Sequence, residues 1–148
     1  MSVSTSPLRA DDEERWRELW QGYLTWYRSE VAADVTDHLW QTLVAGEGRM
    51  YGLAARLHGD LIGFTHYTFH ASSWTKGDYC YLEDLYVDGH VRGSGAGRAL
   101  INAVRERANQ RGASRLYWHT EANNDVARGL YDTLAREAGF VQYRMPLS

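Results

Sequence analysis

The feature that most restricts how this chain folds is a run of alternating glycines, Arg92-Gly93-Ser94-Gly95-Ala96-Gly97-Arg98. It follows a segment of strand character, Tyr79 to Val87, and opens one of helical periodicity, from about Gly97 to Arg111. A helix entered this way offers unpaired N–H groups and the positive end of its dipole, and glycine lets a ligand approach the backbone closely. Arg92 and Arg98 add positive charge, so a diphosphate fits the arrangement. The dinucleotide fingerprint G-x-G-x-x-G fails, because its third glycine falls on Arg98 or on Leu100. The phosphate loop of nucleotide hydrolases fails too, because no Gly-Lys-Ser/Thr is present. Taken alone, the run also reads as a plain turn with a glycine-rich helix start.

The elements around it alternate. Asp11 and Glu14 form an expected capping box, followed by Trp16, Leu19, Trp20, Tyr23, Leu24 and Tyr27 at helical spacing. A second helix is expected from Thr36 to Val44, with Leu39 and Leu43 inward and Gly46 or Gly48 at its end. Met50 to Leu57 and Leu61 to His70 read as a hairpin around His58-Gly59-Asp60. Ala71 to Asp78 reads as a loop and Tyr79 to Val87 as a third strand. After the glycine run come a helix with a small apolar face ended by Gly112, a strand from Arg115 to Thr120, a helix capped by Asn124 or Asp125 and running to about Ala138, and a last strand from Phe140 to Arg144. The order ααβββαβαβ implies an α/β (α+β) fold, one mixed sheet flanked by helices, in a single domain over residues 1–148.

Composition narrows the function. A chain of 148 residues that is 44% hydrophobic supports a core, and its net charge of -3 argues against nucleic acid as a partner. With Cys80 as the one cysteine, neither a disulfide nor a cysteine-based zinc site is expected. No apolar run approaches the roughly 18 residues of a membrane span, and no signal peptide is evident, so a soluble cytoplasmic protein without membrane partners is the default.

Tyr81-Leu82-Glu83-Asp84-Leu85-Tyr86-Val87, a short spacer and Arg92-x-x-Gly95-x-Gly97 together resemble the coenzyme A-binding core of the Gcn5-related N-acetyltransferases. Downstream, Asn124-x-x-Ala127-x-x-x-Tyr131 resembles that family's Asn-x-x-Ala-x-x-x-Tyr element. The likeness covers about Tyr79 to Tyr143; Leu116-Tyr117-Trp118-His119-Thr120-Glu121 is similar to the branch of histone and polyamine acetyltransferases, and Leu82-Glu83-Asp84 resembles diamine acetyltransferases. The resemblance implies acetyl-coenzyme A as cosubstrate and direct transfer to a primary amine. It implies backbone binding of the diphosphate by Arg92, Gly93, Ser94, Gly95, Ala96, Gly97 and Arg98. It also implies that the strands ending at Leu85, Tyr86 and Val87 and at Trp118 to Thr120 splay apart, with the pantetheine arm between them, contacted by Asn124.

Direct transfer needs a neutral amine, a polarised thioester carbonyl and a stabilised thiolate. Tyr131 is the candidate acid toward sulfur, against the alternative of a core tyrosine beside Leu130 and Leu134. Glu83 is the candidate base, acting through water, because a carboxylate within an aromatic strand is costly unless paired or facing a cleft. Strand alternation puts Glu83 with Tyr81, Leu85 and Val87, but a bulge near Leu85 would break it, so Glu83 and Asp84 remain alternatives for the base. Both carboxylates, with Tyr23 and Tyr27 of the first helix, are candidates for binding the acceptor. His66, Tyr67 and His70 are candidates for the substrate site, against the alternative of polar residues on an exposed sheet face, and two histidines make a poor metal site, so no metal is expected. Cys80 reads as a small buried apolar side chain. The expected acceptor is a small cationic amine. The rival reading is a coenzyme A-binding or protein-interaction module without turnover, and a longer acyl donor and a homodimer both remain open.

Overall fold

The computed structural model describes residues 2–147. It divides into two units, the first ending at Trp118 and the second beginning at His119. The first is built on a five-stranded sheet in the order β1-β2-β3-β4-β5. Strands β1 (Val3–Pro7), β2 (Tyr51–Leu57), β3 (Asp60–Ala71) and β4 (Asp78–Val87) are each antiparallel to the next, and β5 (Arg115–Tyr117) lies parallel to β4. Helices α1 (Glu13–Trp26) and α2 (Ala33–Ala45) precede β2, and α3 (Ala96–Gln110) crosses from β4 to β5. The fold is thus α/β with a mixed sheet. No helix among the described residues is long and apolar enough to cross a membrane.

Strand β1 is absent from the order expected above. Val3-Ser4-Thr5-Ser6-Pro7 has little apolar content, and a proline is tolerated in a strand only at an edge. Its place is set by pairing with β2, Val3 opposite Leu57 and Pro7 opposite Leu53.

The two faces of the sheet bury different sets, as strand alternation requires. Trp16, Leu19, Trp20 and Leu24 of α1 and Trp40 and Leu43 of α2 pack with Ala54 and Phe64. Leu100, Ile101, Val104 and Ala108 of α3 are buried on the other face, which carries Leu53, Thr65 and Tyr67. Helix α2 ends at Gly46, whose φ of 66° is the left-handed conformation that glycine adopts at helix ends.

The expected Asp11–Glu14 capping box does not form. The capping carboxylate is Asp12, whose Oδ2 accepts from the Arg9 backbone N–H at 2.8 Å. Asp12 also takes a two-pronged bond from Arg56 of β2, at 2.8 and 2.7 Å, and the Arg56 Nε donates to Ser6 of β1 at 3.1 Å. Asp12 prevails because burial next to a guanidinium demands a partner that solvated Asp11 does not need. The Arg56 hydrogen bond is the main cause that holds the Asp12 carboxyl below its usual value. A depressed folded-state pKa stabilises above the unfolded carboxyl's pKa, and that contribution is lost as pH falls through the folded value. Asp12→Ala strands a buried guanidinium and is expected to cost about 3–5 kcal/mol in urea unfolding.

The second unit contains α4 (Asp125–Leu134), which is shorter than expected. Residues 136–147 carry neither helix nor strand, so the strand expected at Phe140 to Arg144 does not form. A strand needs a neighbour to satisfy its backbone, and the described residues of this unit hold no other. Likewise β5 stops at Tyr117 rather than Thr120.

Candidate active site

The glycine run lies between β4 and α3 on a well-anchored support. Asp88, just past β4, accepts from the His90 N–H at 3.0 Å and from Arg15 of α1 at 2.6 Å, while the Arg15 Nε donates to the Leu61 carbonyl at 3.0 Å. The next charged side chain, Arg92, places its guanidinium 4.9 Å from the centre of the Trp26 ring. Gly93 and Gly95 have φ values of 82° and 85°, where a side chain is strained, and no atom stands within 4 Å of where their Cβ would be. Gly95 is the N-cap of α3, with no side chain satisfying the helix end, and the helix's first bond runs from Ala99 N–H to the Gly95 carbonyl at 3.0 Å. The amides ahead of Ala99 therefore have no acceptor within the helix. Ser94 Oγ is buried without a hydrogen-bond partner. An orphaned hydroxyl, an uncapped helix start and an open left-handed turn fit a group that brings anionic oxygens.

The edge of β4 is open beside this loop. Strand β5 pairs with it only from Tyr79 opposite Arg115 to Tyr81 opposite Tyr117. Beyond Tyr81 the two strands part, while Leu85, Tyr86 and Val87 remain paired with β3 through Thr65, Phe64 and Gly63.

A bulge does interrupt the alternation of β4, at Glu83. His66 pairs with Asp84 and Tyr67 with Leu82, so Glu83 is the extra residue without a β3 partner. Glu83 is exposed, whereas the Asp84 side chain is 12% exposed. The bulge breaks the regular alternation, and the two neighbouring carboxylates acquire different surroundings.

Asp84 faces α1. Its Oδ2 lies 2.9 Å from His66 Nδ1, and the Trp16 indole N–H donates to His66 Nε2 at 3.1 Å. His66 and Tyr67 are both buried, against the expectation of an exposed polar face, because Trp16, Trp20 and Phe64 close over His66. His70 is the exposed member of the trio and shares a 2.6 Å hydrogen bond with Tyr117. The two histidines thus have separate partners, and among the described residues no group of three or more His, Cys, Asp or Glu is placed to hold a metal.

The aromatic stripe of α1 leads from core to surface. Trp16 stacks on Trp20 and Trp20 on Tyr23, and Tyr23 meets Tyr27 at 4.9 Å, with Tyr27 38% exposed. Gly22 permits this approach to β4, since a Cβ there would stand 2.6 Å from the Tyr86 hydroxyl. Burial pushes the Tyr23 phenol well above its ordinary value, and the charge and hydrogen bonding of Asp84 push the same way, so Tyr23 keeps its proton at neutral pH. Burial likewise raises the Cys80 thiol to about 12, which leaves it an inert, buried side chain.

Tyr23, Tyr27, Glu83 and Asp84 are therefore brought together in the first unit, next to the parting strands. Asn124 and Tyr131 belong to the second unit. Asn124 is the N-cap of α4, accepting from the Ala127 N–H at 3.4 Å, and its Nδ2 donates to Thr120 at 3.4 Å. Tyr131 lies on the same helix. The His66–Trp16 pair and the Arg15–Asp88 anchor escaped the sequence, since each joins residues about 50 or more positions apart, and only the packing of α1 on the sheet relates them.

Residues 11–135 match the Acetyltransferase (GNAT) family. The D-amino-acid N-acetyltransferase HPA3 of Saccharomyces cerevisiae is 33% identical over 144 residues, 96% of this chain and 89% of that protein. The thialysine N-epsilon-acetyltransferase of Caenorhabditis elegans is 31% identical over 101 residues, 65% of this chain and 62% of that protein. AAC(6')-Iy, solved with the bisubstrate analogue CoA-S-monomethyl-acetylneamine, has the same fold at a TM-score of 0.82, over 99% of this chain and 100% of that one, with 17% identity. On a family match spanning most of its length and a relative aligned nearly end to end, the chain belongs to the Acetyltransferase (GNAT) family, whose enzymes use acetyl-coenzyme A.

Proposed function

We propose that the protein transfers the acetyl group of acetyl-coenzyme A to a primary amine of a small cationic substrate. The observation that carries this reading is the bulge that exposes Glu83 beside the open edge of β4, next to the glycine loop. Acetyl-coenzyme A supplies the thioester carbonyl and the thiolate leaving group. The backbone from Arg92 to Arg98, with Ser94 Oγ, holds the diphosphate. Leu85, Tyr86 and Val87 present backbone groups to the pantetheine arm, and Asn124 contacts the arm from the start of α4. Glu83 takes a proton from the substrate ammonium through water, and the neutral amine then attacks the carbonyl carbon. The C–S bond breaks, Tyr131 donates its proton to the departing sulfur, and the surplus proton of the new amide nitrogen leaves to solvent, from which the phenolate is reprotonated. The family match crosses both units, which supports reading residues 1–148 as one catalytic domain.

The cationic acceptor is supported by the adjacent carboxylates Glu83 and Asp84 and by the tyrosines of α1. Asp34 and Asp37 of α2 add negative charge, although Asp37 is paired with Arg17 at 2.8 Å. The relatives named for thialysine Nε and for D-amino acids both act on amines.

Glu83→Gln is expected to lower turnover about tenfold at neutral pH, since water still accepts some of the proton. The loss should grow as pH falls and more of the amine is protonated. Rising ionic strength should raise KM for a dication by screening its attraction to the site. Thiol release across an amine panel tests the class. If spermidine, putrescine and lysine-like amines all fail while a neutral or anionic amine reacts, the cationic acceptor is wrong. If no amine releases thiol although acetyl-coenzyme A binds, the chain is a binding module.

A further inference from the structure

We propose that His66 is a positioning residue of the reaction: backed by Trp16, it pins Asp84 inward and so sets the bulge that turns Glu83 toward the acceptor. This rests on the reading of Glu83 as the base and adds the element that chooses between two adjacent carboxylates.

The direction of the chain follows from chemistry. An indole N–H donates and cannot accept, so His66 Nε2, at 3.1 Å from it, must present a lone pair. The ring's proton is then on Nδ1 and is donated to Asp84 Oδ2 at 2.9 Å. Trp16 and His66 are both 0% exposed, so neither can exchange its partner for water. An Nδ1–H left unpaired there would carry the full cost of desolvation.

Register gives this pair its consequence. Continued regularly from Tyr67 opposite Leu82, the ladder would set Glu83 opposite His66 and Asp84 opposite Thr65. Glu83 would then be drawn into the core beneath α1, and Asp84 would enter the fully buried α3 face at Thr65. The observed register gives His66 the shorter carboxylate and leaves the extra residue to Glu83. The position of the bulge, and with it the placement of Glu83, is the quantity that His66 controls.

The test compares Asp84→Asn, Asp84→Leu, His66→Phe and Glu83→Gln in the full chain. Asparagine keeps an oxygen that accepts from Nδ1–H, leucine removes it, and phenylalanine keeps the aromatic stack while deleting both hydrogen bonds. Asp84→Asn should raise KM for a cationic amine through the lost charge and lower kcat clearly less than Asp84→Leu does. Asp84→Leu and His66→Phe should lower kcat about tenfold, as Glu83→Gln does, with the melting shift on adding acetyl-coenzyme A preserved. Nitrogen-15 NMR should show a protected His66 Nδ1–H in the wild type and in Asp84→Asn. The proposal is overturned if Asp84→Asn loses as much kcat as Glu83→Gln, because the charge of Asp84 would then act directly. It is overturned equally if Asp84→Leu and His66→Phe keep wild-type kcat, or if the Nδ1–H is absent from the wild type. An undiminished kcat in Glu83→Gln alone instead rejects Glu83 as the base. Should the leucine or phenylalanine chain not fold, Asp84→Asn and the wild-type spectrum still decide.

Discussion

Valine at position 97 should abolish the binding of acetyl-coenzyme A by an otherwise folded protein. Gly97 is the second residue of α3 and is not among the glycines with positive φ, so its backbone is open to valine, whose helix propensity is no lower than that of glycine. The side chain would nevertheless rise from the helix start at which the diphosphate is expected, and there a ligand bonds to backbone and tolerates little bulk. Gly95→Val is a less clean variant. At φ 85° valine is strained before any ligand arrives, so lost binding would mix two causes. In thermal melts, wild-type protein with acetyl-coenzyme A at about 100 times Kd should gain roughly 2.7 kcal/mol by mass action, and Gly97→Val should gain none. An unaltered shift in a correctly folded Gly97→Val protein would sink the assignment of the loop.

The loop was legible in the sequence because its evidence is local. Glycine spacing, flanking arginines and the change from strand to helix periodicity lie within a few residues, and Gly93 and Gly95 take left-handed φ there. The helices and the β2–β3 hairpin were legible for the same reason. Edge strand β1 was not, because Val3 to Pro7 has no pattern of its own and is defined by its partner. A bulge is only a possibility in the sequence, since pairing with β3 is what locates it at Glu83. His66 shows the same limit. From its own strand it is a polar residue between aromatics, and only the approach of Trp16, 50 positions away, makes it a core residue with one allowed tautomer. Asp84 follows it, its carboxylate held inward against His66, while Glu83 stays exposed.

Tyr131→Phe should lower turnover about 10- to 1,000-fold while folding and acetyl-coenzyme A binding change little. The substitution removes one hydroxyl and keeps the ring, so the packing of α4 is retained. The helix is closed by backbone in any case, its final bond running from Ala135 N–H to the Tyr131 carbonyl at 2.9 Å. The expected loss is kinetic. Without the phenol, the departing thiolate must leave unprotonated or take its proton from water, and the barrier rises by the help a positioned acid provides. The range is wide because a thiolate is a tolerable leaving group, which limits how much any acid contributes. The decisive measurement is single-turnover transfer with a saturating amine, where product release cannot mask the chemical step. A fall in kcat at constant KM for acetyl-coenzyme A assigns Tyr131 to the transition state. Equal falls in kcat for poor and good thiol leaving groups would point to positioning instead, because proton donation matters least when the thiol is already acidic. An unchanged rate with chemistry limiting rejects Tyr131 as the acid and directs the search to the tyrosines of the first unit, of which Tyr23, its proton held by burial and by Asp84, is the least able to replace it.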